Sequence, residues 1–310
     1  MIKGPIRIAI VGIGKIARDQ HIPAILSNPD FKLVVLISRS IPAADFPVFP
    51  SLEAAFEAGV AIDAVAVCTP PNARAAACRA AASHGCAILL EKPPAATGKE
   101  ALALRKIADE AGVPIFASWH SRFAPMIEVA GKWCASHTLQ SGQITWHEDV
   151  AKWHPGQDWL WRAGGLGVFD PGINALSILS ALYPAAWQVS NSSMQIPENV
   201  EMPVRAQFGL SNDRSTISVD FDFRSTPSET WTIHLLARNG ETLDIVDGGA
   251  GVSINGAQVA RGEIQEYTGI YQRFSELVRA GASDFDISPL AIVEAVFSAA
   301  HVSHVEPVTI

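Results

Sequence analysis

The sequence predicts an α/β protein in two parts. An N-terminal doubly wound parallel sheet is expected over residues 1–121, and a C-terminal α/β domain built on a mostly antiparallel open sheet over residues 122–310. Three observations predict this. Through roughly the first 120 residues, short continuous aliphatic runs alternate with helical patterns, as in parallel strands covered on both faces. Later runs alternate polar and apolar residues instead, as in Thr216-Ile217-Ser218-Val219-Asp220-Phe221, the pattern of a half-buried strand. Asn239-Gly240 and Asp247-Gly248-Gly249 then supply the hairpin turns of an antiparallel sheet.

Taken in order, residues 6–11 read as the first strand, with Ile6, Ile8 and Ile10 on one face. A helix is expected over about 15–27, a strand over 32–37, a helix over 52–58 and a strand over 64–68. The alanine-rich stretch 73–84 is helical by propensity and 87–90 is the fourth strand. A helix over 98–111 is stopped by Gly112 and Pro114, and 115–119 is the fifth strand. After a helix near 124–134, strands are expected at 143–149, 203–210, 216–223, 230–237 and 242–246, with one helix, 168–182, among them. Helices near 271–280 and 289–304 close the chain, which places His301 and His304 in the last helix as structural residues.

The composition narrows the function. With 48% hydrophobic and 17% charged residues the chain supports large cores and is not a disordered one. A net charge of −8 argues against a nucleic-acid surface, which needs clustered Lys and Arg. No run approaches the roughly 18 apolar residues of a membrane span, and Met1-Ile2-Lys3-Gly4-Pro5 has no signal-peptide pattern. The four cysteines form no Cys-x-x-Cys pair and no zinc spacing, so free thiols, a cytoplasmic location and no metal are expected.

Gly12-Ile13-Gly14-Lys15-Ile16-Ala17 reads Gly-x-Gly-x-x-Ala between a strand and a helix. The first glycine allows the tight turn, the second lets a pyrophosphate approach the backbone, and Ala17 permits close helix–strand packing. Helix N-terminal amides face the phosphates. Ser38-Arg39 stands at the end of the second strand, where a carboxylate would select NAD. A hydroxyl and a guanidinium suit a 2′-phosphate, so NADP is the preferred cofactor, with NAD also usable. Cys68, Thr69, Pro70, Pro71 and Asn72 end the third strand beside the cofactor, although Asn72 also reads as an N-cap of the next helix. Leu89-Leu90-Glu91-Lys92-Pro93-Pro94 carries an acid and an amine out of the fourth strand. Glu91, Lys92 and Pro93 are placed where cofactor meets substrate, against the plainer reading of a charge pair in a turn, and the Lys92–Pro93 bond is expected to be cis.

Together with Gly164-Gly165-Leu166-Gly167-Val168-Phe169-Asp170-Pro171-Gly172-Ile173-Asn174, these motifs resemble the glucose–fructose oxidoreductase / inositol dehydrogenase (Gfo/Idh/MocA) family over essentially the whole chain. Three further strings resemble a bacterial branch of that family acting on L-arabinose and D-galactose at C1: residues 12–21, Trp119-His120-Ser121-Arg122 and Trp153-His154-Pro155-Gly156-Gln157. The resemblance implies a Rossmann domain, hydride transfer between NAD(P) and a sugar, and a homodimer formed through the open sheet. Another inositol or diol dehydrogenase and a non-catalytic NADP-binding regulator are the alternatives. The family often has His four residues after the motif Asp, where this chain has Asn174. A neutral amide is no base at pH 7, which moves the proton acceptor to Asp170.

Oxidation at C1 of a cyclic sugar gives a lactone and requires a hydride acceptor, a base and a group that stabilises the oxygen. Lys92 is assigned to the oxygen, with relay of the proton as its other reading, and Asp170 is the chosen base, with Asn174 on the same helical face. Asp170 before Pro171 also reads as a plain helix N-cap. Sugars call for aromatic walls and hydroxyl-binding polar groups, for which Glu148, Trp153, His154, His120 and Trp231 are the candidates.

Overall fold

The structure, a computed structural model, describes residues 4–40, 45–224 and 229–308. The chain divides into two compact units, one of Met1–His120 with Tyr267–Ile287 and one of Ser121–Glu266 with Ser288–Ile310. The sequence places the boundary near residue 121; the first unit also takes in a later segment, Tyr267–Ile287.

The first unit holds a six-stranded parallel sheet in the order β3-β2-β1-β4-β5-β6. Its strands are β1 (Ile6–Val11), β2 (Phe31–Ile37), β3 (Val48–Phe49), β4 (Ala64–Val67), β5 (Ala87–Glu91) and β6 (Ile115–Ser118). Every residue of β4, β5 and β6 is buried, as continuous aliphatic runs require in a sheet covered on both faces. The order reverses between β1 and β4, and ligands of open α/β sheets collect at the carboxyl ends of strands at such a point. The expected helix over 15–27 begins in α geometry, widens into a π-helical turn at Ala17–His21 and continues as α1 (Ile22–Ser27). The helices α2 (Leu52–Glu57), α3 (Ala75–Ser83) and α4 (Gly98–Ala111) follow. Ser51 Oγ caps α2 by accepting the Ala54 N–H at 3.2 Å, and Thr97 Oγ1 caps α4 by accepting that of Glu100 at 3.2 Å.

The second unit holds a nine-stranded mixed sheet. Its elements are α5 (Ile127–Ser136), β7 (Leu139–His147), α6 (Val150–Trp153), α7 (Phe169–Leu182), β8 (Gln188–Pro197), β9 (Arg205–Ser211), β10 (Thr216–Asp222), β11 (Thr230–Ala237), β12 (Thr242–Val246), β13 (Gly251–Ile254) and β14 (Ala257–Arg261). The helix α8 (Glu266–Ala280) belongs to the first unit from Tyr267 onward. The second unit ends with α9 (Ser288–Ala299) and β15 (His301–Val305). The sheet order is β14-β13-β12-β11-β7-β10-β9-β8-β15, antiparallel except for the pairs β7–β10 and β8–β15. Ile217, Val219 and Phe221 of β10 point to the buried face while Gln143, Gln207 and Ser218 are exposed on the other. Helix α7 lies close against β10: a Cβ on Gly172 would stand 2.4 Å from the Phe221 ring.

Five strands escape the sequence reading, among them β3, which is only two residues long. β8 opens Gln-Val-Ser-Asn-Ser-Ser and carries an irregularity between Ser190 and Ser193, so it has no apolar alternation to detect. β13 and β14 are short, and β14 is a five-residue edge strand with no sustained apolar alternation. The last helix ends at Ala299 rather than at 304: His301 and His304 lie on β15, paired in parallel with β8. Among the described residues no helix is long and apolar enough to cross a membrane.

Candidate active site

In the first unit the chain leaves β1 into the glycine turn. The Gly12 N–H donates to Ile37 O at 3.0 Å, fixing the turn against β2. Gly12 has φ +87°, and a Cβ there would stand 2.7 Å from Thr69 Cγ2 and 2.9 Å from Thr69 N. Only glycine fits this conformation so close to the neighbouring strand end. At Gly14 a Cβ would meet no protein atom within 4 Å, leaving its backbone open to a ligand. Ile13 is buried, Ile16 is exposed, and Lys15 pairs with Asp19 at the surface. The Arg18 guanidinium donates to Ile13 O at 3.0 Å and braces the turn from outside.

Across from it, Cys68 N–H donates to Val11 O at 2.8 Å, tying the end of β4 to that of β1. All four cysteines are free thiols. Thr69 Oγ1 is buried without a hydrogen-bond partner in the described residues, and Pro70 leads into a 3₁₀ turn, Pro71–Ala73. That turn holds Asn72 exposed, and α3 is capped at Arg74, so Asn72 is not the N-cap of that helix. The open backbone of Gly14 and the orphaned hydroxyl of Thr69, which packs on Gly12, fit a dinucleotide phosphate. Ser38 and Arg39 follow β2 as the sequence predicts; Arg39 is exposed.

Beyond β5 the Lys92–Pro93 bond is cis and Lys92 is half-buried. Glu91, 4% exposed, turns its carboxylate into the unit. Its Oε1 accepts the Tyr267 hydroxyl at 2.6 Å and lies 3.0 Å from His21 Nε2, while Oε2 accepts the Lys92 N–H at 2.9 Å. His21 is fully buried, and its Nδ1 meets the Tyr271 hydroxyl at 2.7 Å. Burial works to discharge His21, but Cys68 and Glu91 beside it raise its pKa to about 10. Burial likewise works to protonate Glu91, and the His21 hydrogen bond and charge, the His120 charge and the Tyr267 hydroxyl bring it down to about 2. His120 stacks on Tyr267 with centroids 5.8 Å apart. Buried Arg74 donates to Thr69 O at 2.9 Å and to the carbonyl oxygens of Glu91 and Pro93, joining the ends of β4 and β5.

The second unit gathers the other residues. Asp170 is buried in the first turn of α7, whose N-cap is Val168, so Asp170 is not the N-cap that its proline neighbour suggests. Half-buried Asn174 lies one turn on, on the same face. Glu148, 5% exposed, follows β7. Its Oε1 lies 3.2 Å from His154 Nε2 and its Oε2 accepts the Trp231 indole N–H at 3.2 Å. His154 Nδ1 is buried without a hydrogen-bond partner in the described residues. Trp153, 41% exposed, meets Trp231 edge-on at 5.7 Å. Glu148, Trp153, His154 and Trp231 thus form one cluster of carboxylate, imidazole and indole walls.

The sequence reading misses His21, Arg74, Tyr267 and Tyr271. The one signal for them is chemical: a carboxylate at the end of a buried strand demands donors.

Residues 6–118 match a family model described as an oxidoreductase family with an NAD-binding Rossmann fold (Gfo/Idh/MocA). The chain is 43% identical to galactose 1-dehydrogenase of Pseudomonas fluorescens over 291 residues, 93% of this chain and 94% of that one. The chain belongs to the Gfo/Idh/MocA oxidoreductase family. It is an enzyme, an NAD(P)-dependent dehydrogenase with a Rossmann domain. The crystal structure of a D-galactose-1-dehydrogenase protein from Rhizobium etli is 41% identical and superposes with a TM-score of 0.94, covering 100% of this chain and 99% of that one. A 3-ketoreductase of Actinomadura kijaniata in complex with NADP and TDP-benzene shares the fold at 18% identity, with a TM-score of 0.85 over 97% of this chain and 99% of that one.

Proposed function

We propose that the enzyme oxidises D-galactose and L-arabinose at C1 to the aldonolactone, with NADP preferred and NAD also used. The near full-length likeness to galactose 1-dehydrogenase carries the reading. The two sugars share the ring configuration and differ at the C5 substituent, so one pocket takes both.

The bound nicotinamide supplies the hydride acceptor. The remaining work falls to this chain. Gly12, Ile13, Gly14, Lys15 and Ile16 hold the pyrophosphate, Ser38 and Arg39 the 2′-phosphate, and residues 68–72 with His120 flank the nucleotide. The Lys92 ammonium donates to the C1 oxygen and stabilises the charge that develops there. Asp170 accepts the hydroxyl proton, and Asn174 orients the sugar through its amide. Glu148 and His154 accept and donate to ring hydroxyls, while Trp153 and Trp231 cover the C–H faces. A homodimer is proposed through the exposed face of the nine-stranded sheet, where Gln143, Gln207 and Ser218 lie; light scattering of the purified protein reads it directly.

The deciding experiment follows NADPH absorbance across a panel of aldoses and inositols. Turnover is expected with D-galactose and L-arabinose. Absence of turnover with every aldose would falsify the reading. Lys92→Met and Asp170→Asn are each expected to lower kcat by about 100-fold or more, the scale of general acid–base contributions.

A further inference from the structure

We propose that His21 and Tyr267 are positioning residues for this reaction: through the Glu91 carboxylate they fix the backbone from which Lys92 projects. The proposal rests on the assignment of Lys92 to the C1 oxygen made above.

The polar groups around Lys92 end on side chains. Its own N–H goes to Glu91 Oε2, and Arg74 takes the carbonyls of Glu91 and Pro93 on either side. The direction of the Lys92 N–H is therefore set by where Glu91 holds its carboxylate. A carboxylate that is 4% exposed keeps an orientation only through its donors, because water supplies none. Those donors come from two places far apart in sequence. His21 Nε2 stands 3.0 Å from Oε1 and the Tyr267 hydroxyl 2.6 Å from the same oxygen. His21 is held in turn by Tyr271 at 2.7 Å, and its ring lies edge-on to that of Tyr267 at 4.9 Å.

His21 also closes the π-helical turn that begins at Ala17, directly after the glycine loop. Ala17 and His21 are buried while Arg18, Asp19 and Gln20 are exposed, so the widened turn sends one residue at each end toward the sheet. π turns are rare and recur at functional sites. The helix that receives the cofactor phosphates thus ends its first turns in the side chain that steadies the Lys92 turn. His21 at pKa about 10 and Glu91 at about 2 keep this contact charged at neutral pH.

The test uses the full-length enzyme with galactose and NADP. His21→Leu removes the donor, His21→Gln keeps an N–H donor of similar reach, and Tyr267→Phe removes one hydroxyl. A misplacement of about 1 Å costs on the order of 100-fold. The expected losses in kcat are of that order for H21L and about tenfold for Y267F, with H21Q between H21L and the wild type. The Kd for NADPH, read by fluorescence titration, is expected to stay within about threefold, since a positioning defect spares cofactor binding. A merely structural role moves NADPH affinity and thermal midpoint together with kcat and does not rank H21Q above H21L. Wild-type kcat in Y267F and H21Q, or NADPH binding that falls in step with kcat, overturns the proposal. Where H21L does not fold, Y267F and H21Q decide. Lys92→Met separates the two levels of the argument. Wild-type turnover in K92M removes the Lys92 assignment itself. Inactive K92M beside fully active Y267F and H21Q leaves that assignment standing and removes only the positioning role.

Discussion

The Trp231 indole N–H donates to Glu148 Oε2 at 3.2 Å. With His154 on its other oxygen, the carboxylate is oriented from both sides yet keeps lone pairs for sugar hydroxyls. A hydrogen bond to a charged group contributes about 1.5–3 kcal/mol, equivalent to roughly 10- to 100-fold in affinity. Glu148→Ala is therefore expected to raise KM for galactose by about that factor while the Kd for NADPH holds. Trp231→Phe keeps the wall, loses the donor, and is expected to raise KM by about threefold to tenfold. KM values within twofold of the wild type in both variants remove this cluster from the sugar site.

Arg39 is exposed just past the end of β2, which leaves its guanidinium available to a ribose 2′-phosphate. Arg39→Ala is expected to lower kcat/KM for NADP by about tenfold or more and to leave that for NAD within about twofold. Initial rates with both cofactors at limiting concentration measure it. An unchanged ratio assigns the 2′-phosphate to some other group.

What was legible in the sequence follows from how local each signal is. The glycine turn, the parallel strands and the hairpins at Asn239-Gly240 and Asp247-Gly248-Gly249 are written in runs of a few residues, and the structure has them at those positions. Glu148, Trp153 and His154 stand within one short stretch, and only Trp231 arrives from elsewhere, through the pairing of β11 with β7. The network under Lys92 is different in kind. His21, Glu91 and Tyr267 come from a helix, a strand end and a helix of the same unit that follows them in the chain only after strands β7–β14. No spacing rule joins residues 21, 91 and 267. Strands β8, β14 and β15 escape for the opposite reason: they lie at or next to the sheet edges and carry too little apolar alternation to show a period.

Two glycines of the motifs answer to different constraints, and substitution separates them. A Cβ at Gly172 would drive into the buried Phe221 ring at 2.4 Å, between α7 and β10. Gly172→Ala is expected to cost about 1–3 kcal/mol, the range for overpacking, read as a lower urea midpoint. A Cβ at Gly14 meets no protein atom within 4 Å. Gly14→Ala is expected to leave stability within about 0.5 kcal/mol and to raise the Kd for NADPH by about tenfold or more, since the methyl occupies the approach of the pyrophosphate. A Gly14→Ala protein that binds NADPH as well as the wild type places the phosphates elsewhere.

The buried group of His21, Cys68 and Glu91 also gives the fold a pH signature. His21 is raised from 6.5 to about 10, so its contribution is fully present below about pH 6.5 and is lost as pH rises through 10. Glu91 is lowered from 4.5 to about 2, so its contribution is fully present above about pH 4.5 and is lost as pH falls through 2. Both are whole between about pH 4.5 and 6.5. Above that window the folded protein holds a proton that the unfolded chain has released, so the pair's contribution declines with pH. His21→Gln removes the titrating group. The gap in thermal midpoint between wild type and H21Q is therefore expected to be widest near pH 5.5 and to narrow steadily towards pH 10, as read by thermal melts in matched ionic strength. A gap that stays constant across that range shows that His21 holds its proton no more tightly in the folded protein than in the unfolded chain, and the charged contact to Glu91 is then not part of what holds the Lys92 turn.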